Sequence, residues 1–111
     1  MNESSNKAKS RRLHLHQELL DFTGRPAYFQ PPTSPTIKLQ YPCTVYNLSD
    51  VYTNSADDQN YRAIRRYQVT YITKDPDDVL IDEFLLHFKS ISFSRHFTSD
   101  GLNHYIYDLY Y

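Results

Sequence analysis

The histidines of this chain could bind a metal ion or transfer a proton, so their spacing is considered first. His14 and His16 lie two positions apart, which places them on different sides of a helix and prevents joint coordination of one ion. His104 and Asp108 would share one face of a strand, but they would lie roughly 13 Å apart along it. No other histidine has a partner at a metal-ligand spacing. The sequence therefore predicts no metal site.

Two groups of aspartates could supply paired carboxylates for acid–base chemistry. The run at residues 75–78, Asp-Pro-Asp-Asp, is explained by a helix start: Asp75 would cap the helix and Pro76 would occupy its first position. The same run lacks the glycine and glutamate of a calcium-binding EF-hand loop. The Asp57-Asp58 pair lies in a polar stretch and is predicted to be a solvated turn or a contact.

One compact basic group is interleaved with tyrosines between residues 61 and 67. Such a group can stack bases and pair with phosphates, or it can pair with aspartates of a neighbouring subunit. We favour the subunit contact, because 12 Lys and Arg balance 13 Asp and Glu instead of exceeding them. The predicted interface residues are Asp57, Asp58, Tyr61, Arg62, Arg65 and Arg66.

Motifs for nucleophilic catalysis and for phosphate binding are missing. Ser94, Ser99 and Cys43 lack the sequence contexts of known nucleophiles. The two glycines, Gly24 and Gly101, cannot form a phosphate-binding loop. An enzyme is therefore the least supported class, and we expect no catalytic residue and no cofactor.

Length and composition favour a small assembly component. A chain of 111 residues fits one domain, which buries only about two-thirds of its unfolded surface and would gain from burial in an assembly. Its 11 tyrosines suit strands that are half-buried or that meet a partner. The lone cysteine and the lack of a long apolar run predict a protein of a reducing cytoplasm that does not span a membrane.

Hydrophobic periodicity and turn residues predict two helices and five strands. The first helix ends at Thr23-Gly24, a proline at position 42 interrupts the second strand, and Asp100-Gly101 forms a hairpin turn. In chain order we predict a helix over 10–22, strands over 27–30 and 37–48, a polar loop over 49–60, a strand over 61–73, a helix up to residue 88, and strands over 90–97 and 104–111.

The predicted fold class is α+β: a small, mostly antiparallel sheet flanked by two helices, in the order α-β-β-β-α-β-β. Residues 1–9 are predicted to be a flexible N-terminus. Residues 10–111 are predicted to form a single domain.

Four segments, taken in their order along the chain, resemble a family of small neck and tail-completion proteins of long-tailed bacteriophages. Ala27 and Thr44 depart mildly from that family's pattern, which has valine and isoleucine there. The resemblance extends from about Arg11 to Tyr111, and it depends on the order of the segments more than on any one of them. The segments are Tyr28-Phe29-Gln30-Pro31-Pro32, Tyr41-Pro42-Cys43-Thr44-Val45-Tyr46, Asp75-Pro76-Asp77 and Leu102-Asn103-His104.

The resemblance implies a tail terminator, a virion protein made in the bacterial host cytoplasm. Such a protein forms a ring, usually a hexamer, on the head-proximal end of the tail tube and stops tube polymerisation. Its implied partners are further copies of itself, the tail tube protein and the head-closure proteins. DNA would pass through the ring without specific binding, and acidic loops facing the lumen would repel it.

Two other functions remain open at this point. A head-closure or stopper protein would form a neck ring that binds the portal side instead of the tail tube. A small single-stranded nucleic-acid-binding module would use Tyr61, Arg62, Arg65, Arg66 and Tyr67, and it would bind oligonucleotides in a salt-sensitive way.

Overall fold

The computed structural model describes the backbone of residues 3–31, 38–55 and 61–111, and the side chains of 9–31, 38–52 and 64–111. Two helices and five strands follow in the predicted order, which confirms the α+β fold class. The elements are α1 (Glu3–Thr23), β1 (Ala27–Phe29), β2 (Cys43–Ser55), β3 (Tyr61–Thr73), α2 (Leu80–His87), β4 (Ile91–Ser99) and β5 (Leu102–Tyr110).

The five strands form one sheet in the order β1-β2-β3-β5-β4. Only β1 and β2 run parallel, and every other neighbouring pair is antiparallel. A row of large side chains crosses the sheet at its middle because the register aligns them. The row consists of Phe29, Tyr46, Val69, Tyr107 and Phe93.

The core lies between this face of the sheet and the two helices. Leu15 and Leu19 of α1 are fully buried, as the predicted stripe on the first helix requires. Phe84 of α2 is also fully buried, and its ring centroid lies 5.1 Å from that of Tyr107 and 5.4 Å from that of Tyr71. Aromatic rings therefore join α2 to the two central strands.

The buried tyrosines keep hydrogen-bond partners for their hydroxyl groups. Tyr107 donates to the backbone carbonyl of Ile81 at 2.5 Å. The hydroxyl of Tyr46 lies 2.6 Å from Nδ1 of His16, whose pKa is lowered by burial and by the positive charge of Arg12. Because the lowered pKa leaves His16 neutral near pH 7, its Nδ1 can accept a hydrogen bond from the hydroxyl group of Tyr46. The rings of Tyr107 and Tyr46 are therefore buried while their hydroxyl groups keep hydrogen-bond partners.

Two chain reversals were predicted correctly from single residues. Gly24 has φ +65° directly after α1, and its N–H donates to the carbonyl of Leu20 at 2.9 Å. Asp100 and Gly101 have φ values of 53° and 74°, as expected for the two central residues of a tight hairpin turn between β4 and β5.

The polar loop predicted over residues 49–60 is wrong for residues 49–55, which belong to β2 and pair with β3. A β-bulge between Leu48 and Asp50 changes the register, and the strand then continues through Val51, Tyr52 and Thr53. Such residues favour strands, but Asp50, Val51 and Tyr52 are all exposed, so neither face of the strand is buried there. The apolar and polar alternation that marks a half-buried strand is therefore missing.

Other predicted boundaries also differ from the structure. The backbone is helical from Glu3, so α1 begins before the predicted start at residue 10, and Lys7, Ala8 and Lys9 are good helix formers. Residues 38–41 precede β2 and are not a strand, because β2 begins after the cis Tyr41–Pro42 peptide.

Replacing Phe84 tests whether the aromatic contacts of α2 hold the fold together. We expect Phe84→Ala to lower the free energy of unfolding by about 3–5 kcal/mol, because it leaves a cavity among three rings. Leu86→Ala is the matched control, since Leu86 is 78% exposed on the same helix and should change stability by less than about 0.5 kcal/mol. Urea unfolding followed by circular dichroism measures both variants. Equal losses of stability in the two variants would contradict the packing of Phe84 in the core.

Candidate functional site

A two-stranded ribbon extends beyond the body of the sheet. Pairing of β3 with β5 stops at Arg66 opposite Tyr110, and pairing of β1 with β2 stops at Phe29 opposite Tyr46. Beyond these points, residues 50–55 of β2 have only β3 as a neighbouring strand, and residues 61–65 of β3 have only β2, in the part of the chain that the structure describes. We call these residues the ribbon arm. Val51 on the arm is 47% exposed.

The ribbon arm makes the molecule longer than a compact domain of its size. Its radius of gyration is 15.4 Å and its principal extents are 51 × 31 × 22 Å, against about 13 Å for a compact domain of this length. A two-stranded ribbon is only marginally stable alone in water. The arm is therefore the part of the described structure with most to gain from contact with another molecule.

Of the six residues predicted to form an interface, the structure describes the side chains of Arg65 and Arg66. Asp57 and Asp58 lie outside the described residues. Tyr61 and Arg62 lie on the arm opposite Ser55 and Asn54, and their side chains lie outside the described part. Arg65 and Arg66 are consecutive on a strand, so their side chains point to opposite faces, which is a correction to the idea of one compact basic group.

Arg66 contacts residues of its own chain and fixes the base of the ribbon arm. Its Nε donates to Oγ of Ser49 at 3.2 Å, and its guanidinium lies 5.7 Å from the ring centroid of Tyr52. A hydrogen bond with Tyr110 of β5 raises the pKa of Arg66 despite the opposing effect of burial. Arg66 therefore joins β2, β3 and β5 where the arm begins.

Arg65 is placed differently, on the face of the sheet that carries the helices. Its carbonyl accepts a hydrogen bond from the N–H of Tyr111 at 3.0 Å. Its guanidinium is half-buried, and within the described residues it forms no hydrogen bond or ion pair. Arg65 is thus a cation at the base of the arm that a second molecule could reach.

Cations from α1 gather at the same end of the molecule. Arg12 lies 4.6 Å above the ring of Phe29, and the charge of Arg11 acts on the hydroxyl of Tyr111, which follows β5 directly. We call this the basic end, and its cations are Lys9, Arg11, Arg12, Arg65 and Arg66. Among the described side chains they outnumber the nearby carboxylates, which are Glu18, Asp50 and Asp108.

The opposite end of β3 leads into the aspartates of residues 75–78. Asp78 does not project freely, because its Oδ2 accepts hydrogen bonds from Tyr71 at 2.6 Å and Thr73 at 3.1 Å. Its Oδ1 accepts from the N–H of Leu80 at 3.0 Å. Burial opposes the charged form of Asp78, but these hydrogen bonds and the nearby Arg25 outweigh it and lower its pKa. Asp78 therefore connects β3 to the start of α2.

The predicted helix cap at Asp75 is wrong. Oδ1 of Asp75 accepts from the N–H of Asp77 at 2.9 Å and so closes a turn before the helix. The helix begins only at Leu80, whose N–H is bound by Asp78. The sheet determines which aspartate binds the start of α2, because Tyr71 and Thr73 hold the Asp78 carboxylate in place and Asp75 stays at the surface.

A concave, acidic surface remains exposed beside this turn. Asp77, Asp82 and the ring of Tyr105 line an open concavity of about 330 Å³. Burial raises the pKa of Tyr105, and the charges of Asp77, Asp75 and Asp78 raise it further. We call this the acidic end, defined by Asp75, Asp77, Asp78 and Asp82. Its four carboxylates outnumber the two cations of the adjoining groove, Arg25 and Lys74.

The segments that carry the family resemblance converge on this end of the sheet. A second small core there contains Cys43, Ile72 and Leu102, with Tyr28 and Val45 packed against it. Nδ2 of Asn103 donates to the carbonyls of Thr73 at 3.3 Å and Lys74 at 3.4 Å, which ties β5 to the chain leading into the aspartates. The sequence shows these segments far apart, and only the sheet register brings them together.

Comparisons with known proteins identify no relative. No protein-family model matches the chain, and no significant match is found among curated proteins or solved structures.

Metal-binding and membrane-spanning features are absent from the described residues. No group of three or more His, Cys, Asp or Glu side chains there could hold a metal ion. Within the same residues, neither helix combines the length and apolar character needed to cross a membrane. His96 stacks on Tyr105 at 4.6 Å and His104 on Phe97 at 4.5 Å, so these two histidines have packing contacts.

Replacing Asp78 tests whether it holds the acidic end in place. We expect Asp78→Ala to lower the free energy of unfolding by about 1–3 kcal/mol at pH 7, because three donors lose their acceptor. Asp82→Asn removes an exposed carboxylate nearby and should cost less than about 0.5 kcal/mol. Because the pKa of Asp78 is lowered in the fold, its contribution is complete above the ordinary carboxyl range and is lost as the pH falls through the lowered value.

The pH dependence gives this prediction a second readout. Urea unfolding at a series of pH values should show the wild-type chain losing its advantage over Asp78→Ala in acid. A constant difference between pH 7 and pH 2 would contradict a charged Asp78 in the folded state.

The buried thiol makes a separate prediction. Cys43 is fully buried, and burial raises its pKa to about 11. We expect native protein to react with a thiol reagent at pH 8 far more slowly than urea-unfolded protein does, because the thiolate is scarce and shielded. Absorbance of the released dye measures both rates, and equal rates would show that Cys43 is accessible.

Proposed function

We propose that this chain is a ring-forming tail terminator of a long-tailed bacteriophage. In this proposal the ring covers the head-proximal end of the tail tube, stops its polymerisation and offers its other face to the head-closure proteins. The single observation that carries the proposal is the ribbon arm, which leaves the body of a small domain with few contacts of its own. Such an arm is expected in a protein that completes its packing in an assembly.

The shape of the molecule also supports a ring. Its two ends differ in charge and in structure, so a contact between them is heterologous, with a different surface on each partner. A heterologous contact repeated around an axis closes into a ring when the rotation completes a circle. A terminator of this kind stops the tube because one face of the ring copies the docking surface of a tube subunit and the other face does not.

The position of the resemblance segments is consistent with the same function. They build the second core and the turn beside it, which supports a fixed surface for assembly.

The nucleic-acid alternative is weakened by the geometry of the arginines. A stacking platform for a single strand needs its basic and aromatic groups on one surface. Arg65 and Arg66 lie on opposite faces, and Arg66 is engaged with Ser49, Tyr52 and Tyr110. The stopper alternative differs from the terminator in its neighbour, so the experiment below includes the head.

The proposal is tested by adding the purified chain to tail tubes that lack a terminator and, in parallel, to DNA-filled heads. Negative-stain electron microscopy should show a ring on one end of each tube and shorter, more uniform tubes. Density on the portal of filled heads, with bare tube ends, would assign the chain to head closure instead. Binding to neither would refute the neck assignment.

A pair of variants connects this test to the ribbon arm. Val51→Glu places a charge on the exposed arm and should reduce the fraction of capped tubes several-fold. Ser94→Glu introduces the same charge at an exposed site near the middle of β4 and should leave capping unchanged. Circular dichroism shows that both variants are folded. Equal capping by Val51→Glu and wild type would remove the arm from the interface.

A further inference from the structure

The two ends of β3 carry opposite charge. The basic end gathers cations of α1 and β3 around the base of the ribbon arm, and the acidic end gathers the carboxylates before and within α2. Arg65 and Thr73 are separated by about 26 Å along the strand. This distance exceeds the Debye length of about 10 Å at 0.1 M salt, so the charges of the two ends do not neutralise each other within one chain.

Each end also has the geometry to receive the other. The acidic end is concave, and Asp77, Asp82 and the ring of Tyr105 face one space. A guanidinium entering it would meet two carboxylates, which arginine binds with specific hydrogen-bond geometry, beside the largely buried side chain of Tyr105. Arg65 supplies such a guanidinium, because no described residue pairs with it, and it lies beside the projecting arm.

We propose that the acidic end of one copy binds the basic end of the next, with Arg65 entering the concavity formed by Asp77, Asp82 and Tyr105. This inference rests on the proposed function for the closure of the contact into a ring, and it names the residues that form the ring contact. The occupant is a second copy of this chain, because the same sequence carries both complementary surfaces.

Alternative uses of the two ends are less well supported. Nucleic acid could bind the cations, but it would leave the acidic concavity unfilled and would be repelled by it. A metal ion could bind carboxylates, but within the described residues the aspartates do not form a metal-binding group. A head-to-tail contact uses both ends at once.

Paired cysteines test the contact directly. Arg65→Cys is made in one preparation and Asp77→Cys in another, and the two are mixed under mild oxidation. Disulfide-linked dimers are expected in the mixture and should exceed those in either preparation alone by about tenfold, which is the ratio that 1.4 kcal/mol of preferential association gives. Cys43 is buried and adds little background.

The matched control replaces an exposed residue away from both ends. Ser94→Cys mixed with Asp77→Cys should give only the background level of dimer. Charge reversal gives a second, independent readout by sedimentation velocity. Arg65→Glu should weaken self-association and Asp77→Arg should do the same, whereas mixing the two variants should restore it at low salt.

The outcomes separate this contact from the proposed function. The cross-linking is carried out on free protein and on protein bound to tail tubes. Rings on the tubes without a disulfide between the Arg65→Cys and Asp77→Cys chains would overturn the contact and leave the terminator proposal standing. Neither rings nor dimers would overturn both. Disulfide-linked dimers, together with restored self-association when Arg65→Glu and Asp77→Arg are mixed, would support the contact.

Discussion

The structure depends on one carboxylate that joins the sheet to the second helix. Asp78 accepts hydrogen bonds from Tyr71 and Thr73 on β3 and from the first N–H group of α2. This arrangement fixes the direction in which α2 leaves the sheet, and therefore where Phe84 meets Tyr71 and Tyr107 in the core. It also leaves Asp75 and Asp77 on the surface. One interaction thus determines both the packing of the core and the shape of the acidic end.

In contrast to the region around Asp78, the ribbon arm has paired strands but little tertiary packing among the described residues. Its strands pair with each other, yet Val51 and Tyr52, which point to opposite faces of the arm, are both exposed. Arg66 holds its base through Ser49, Tyr52 and Tyr110, so the direction of the arm is set by the body. A small domain that holds an unpacked arm in a fixed direction is suited to assembly, since less conformational freedom is lost on binding.

The sequence predicts the fold well where each residue has a local reason for its position. Gly24 ends a helix, Asp100-Gly101 turns a hairpin, and the apolar stripe of Leu15 and Leu19 faces the core, because backbone sterics and helical periodicity act over a few residues. The sequence fails at residues 49–55, where a strand exposed on both faces has no alternating pattern. It also fails at Asp75, because Asp78 is the aspartate that binds the first N–H group of α2, and Tyr71 and Thr73 of β3 hold its carboxylate there.

The candidate site is predicted only in part for the same reason. Sequence reasoning assigns Arg65 and its basic neighbours to a contact between subunits, and it explains the aspartates near Asp77 as a helix start. It cannot show that Arg65 and Arg66 separate onto two faces, or that Asp77, Asp82 and Tyr105 share a concavity. These facts follow from strand register and from the placement of α2, both of which depend on contacts between distant parts of the chain.

The central claim is that the ribbon arm becomes buried when copies of this chain assemble on a tail tube. Hydrogen–deuterium exchange of the free chain and of the tube-bound chain measures this burial directly, residue by residue. The account predicts that backbone amides of residues 50–55 and 61–65 exchange much more slowly in the bound chain, while those of β4 change little. Exchange in the arm that is as fast on the tube as in the free chain would contradict the account.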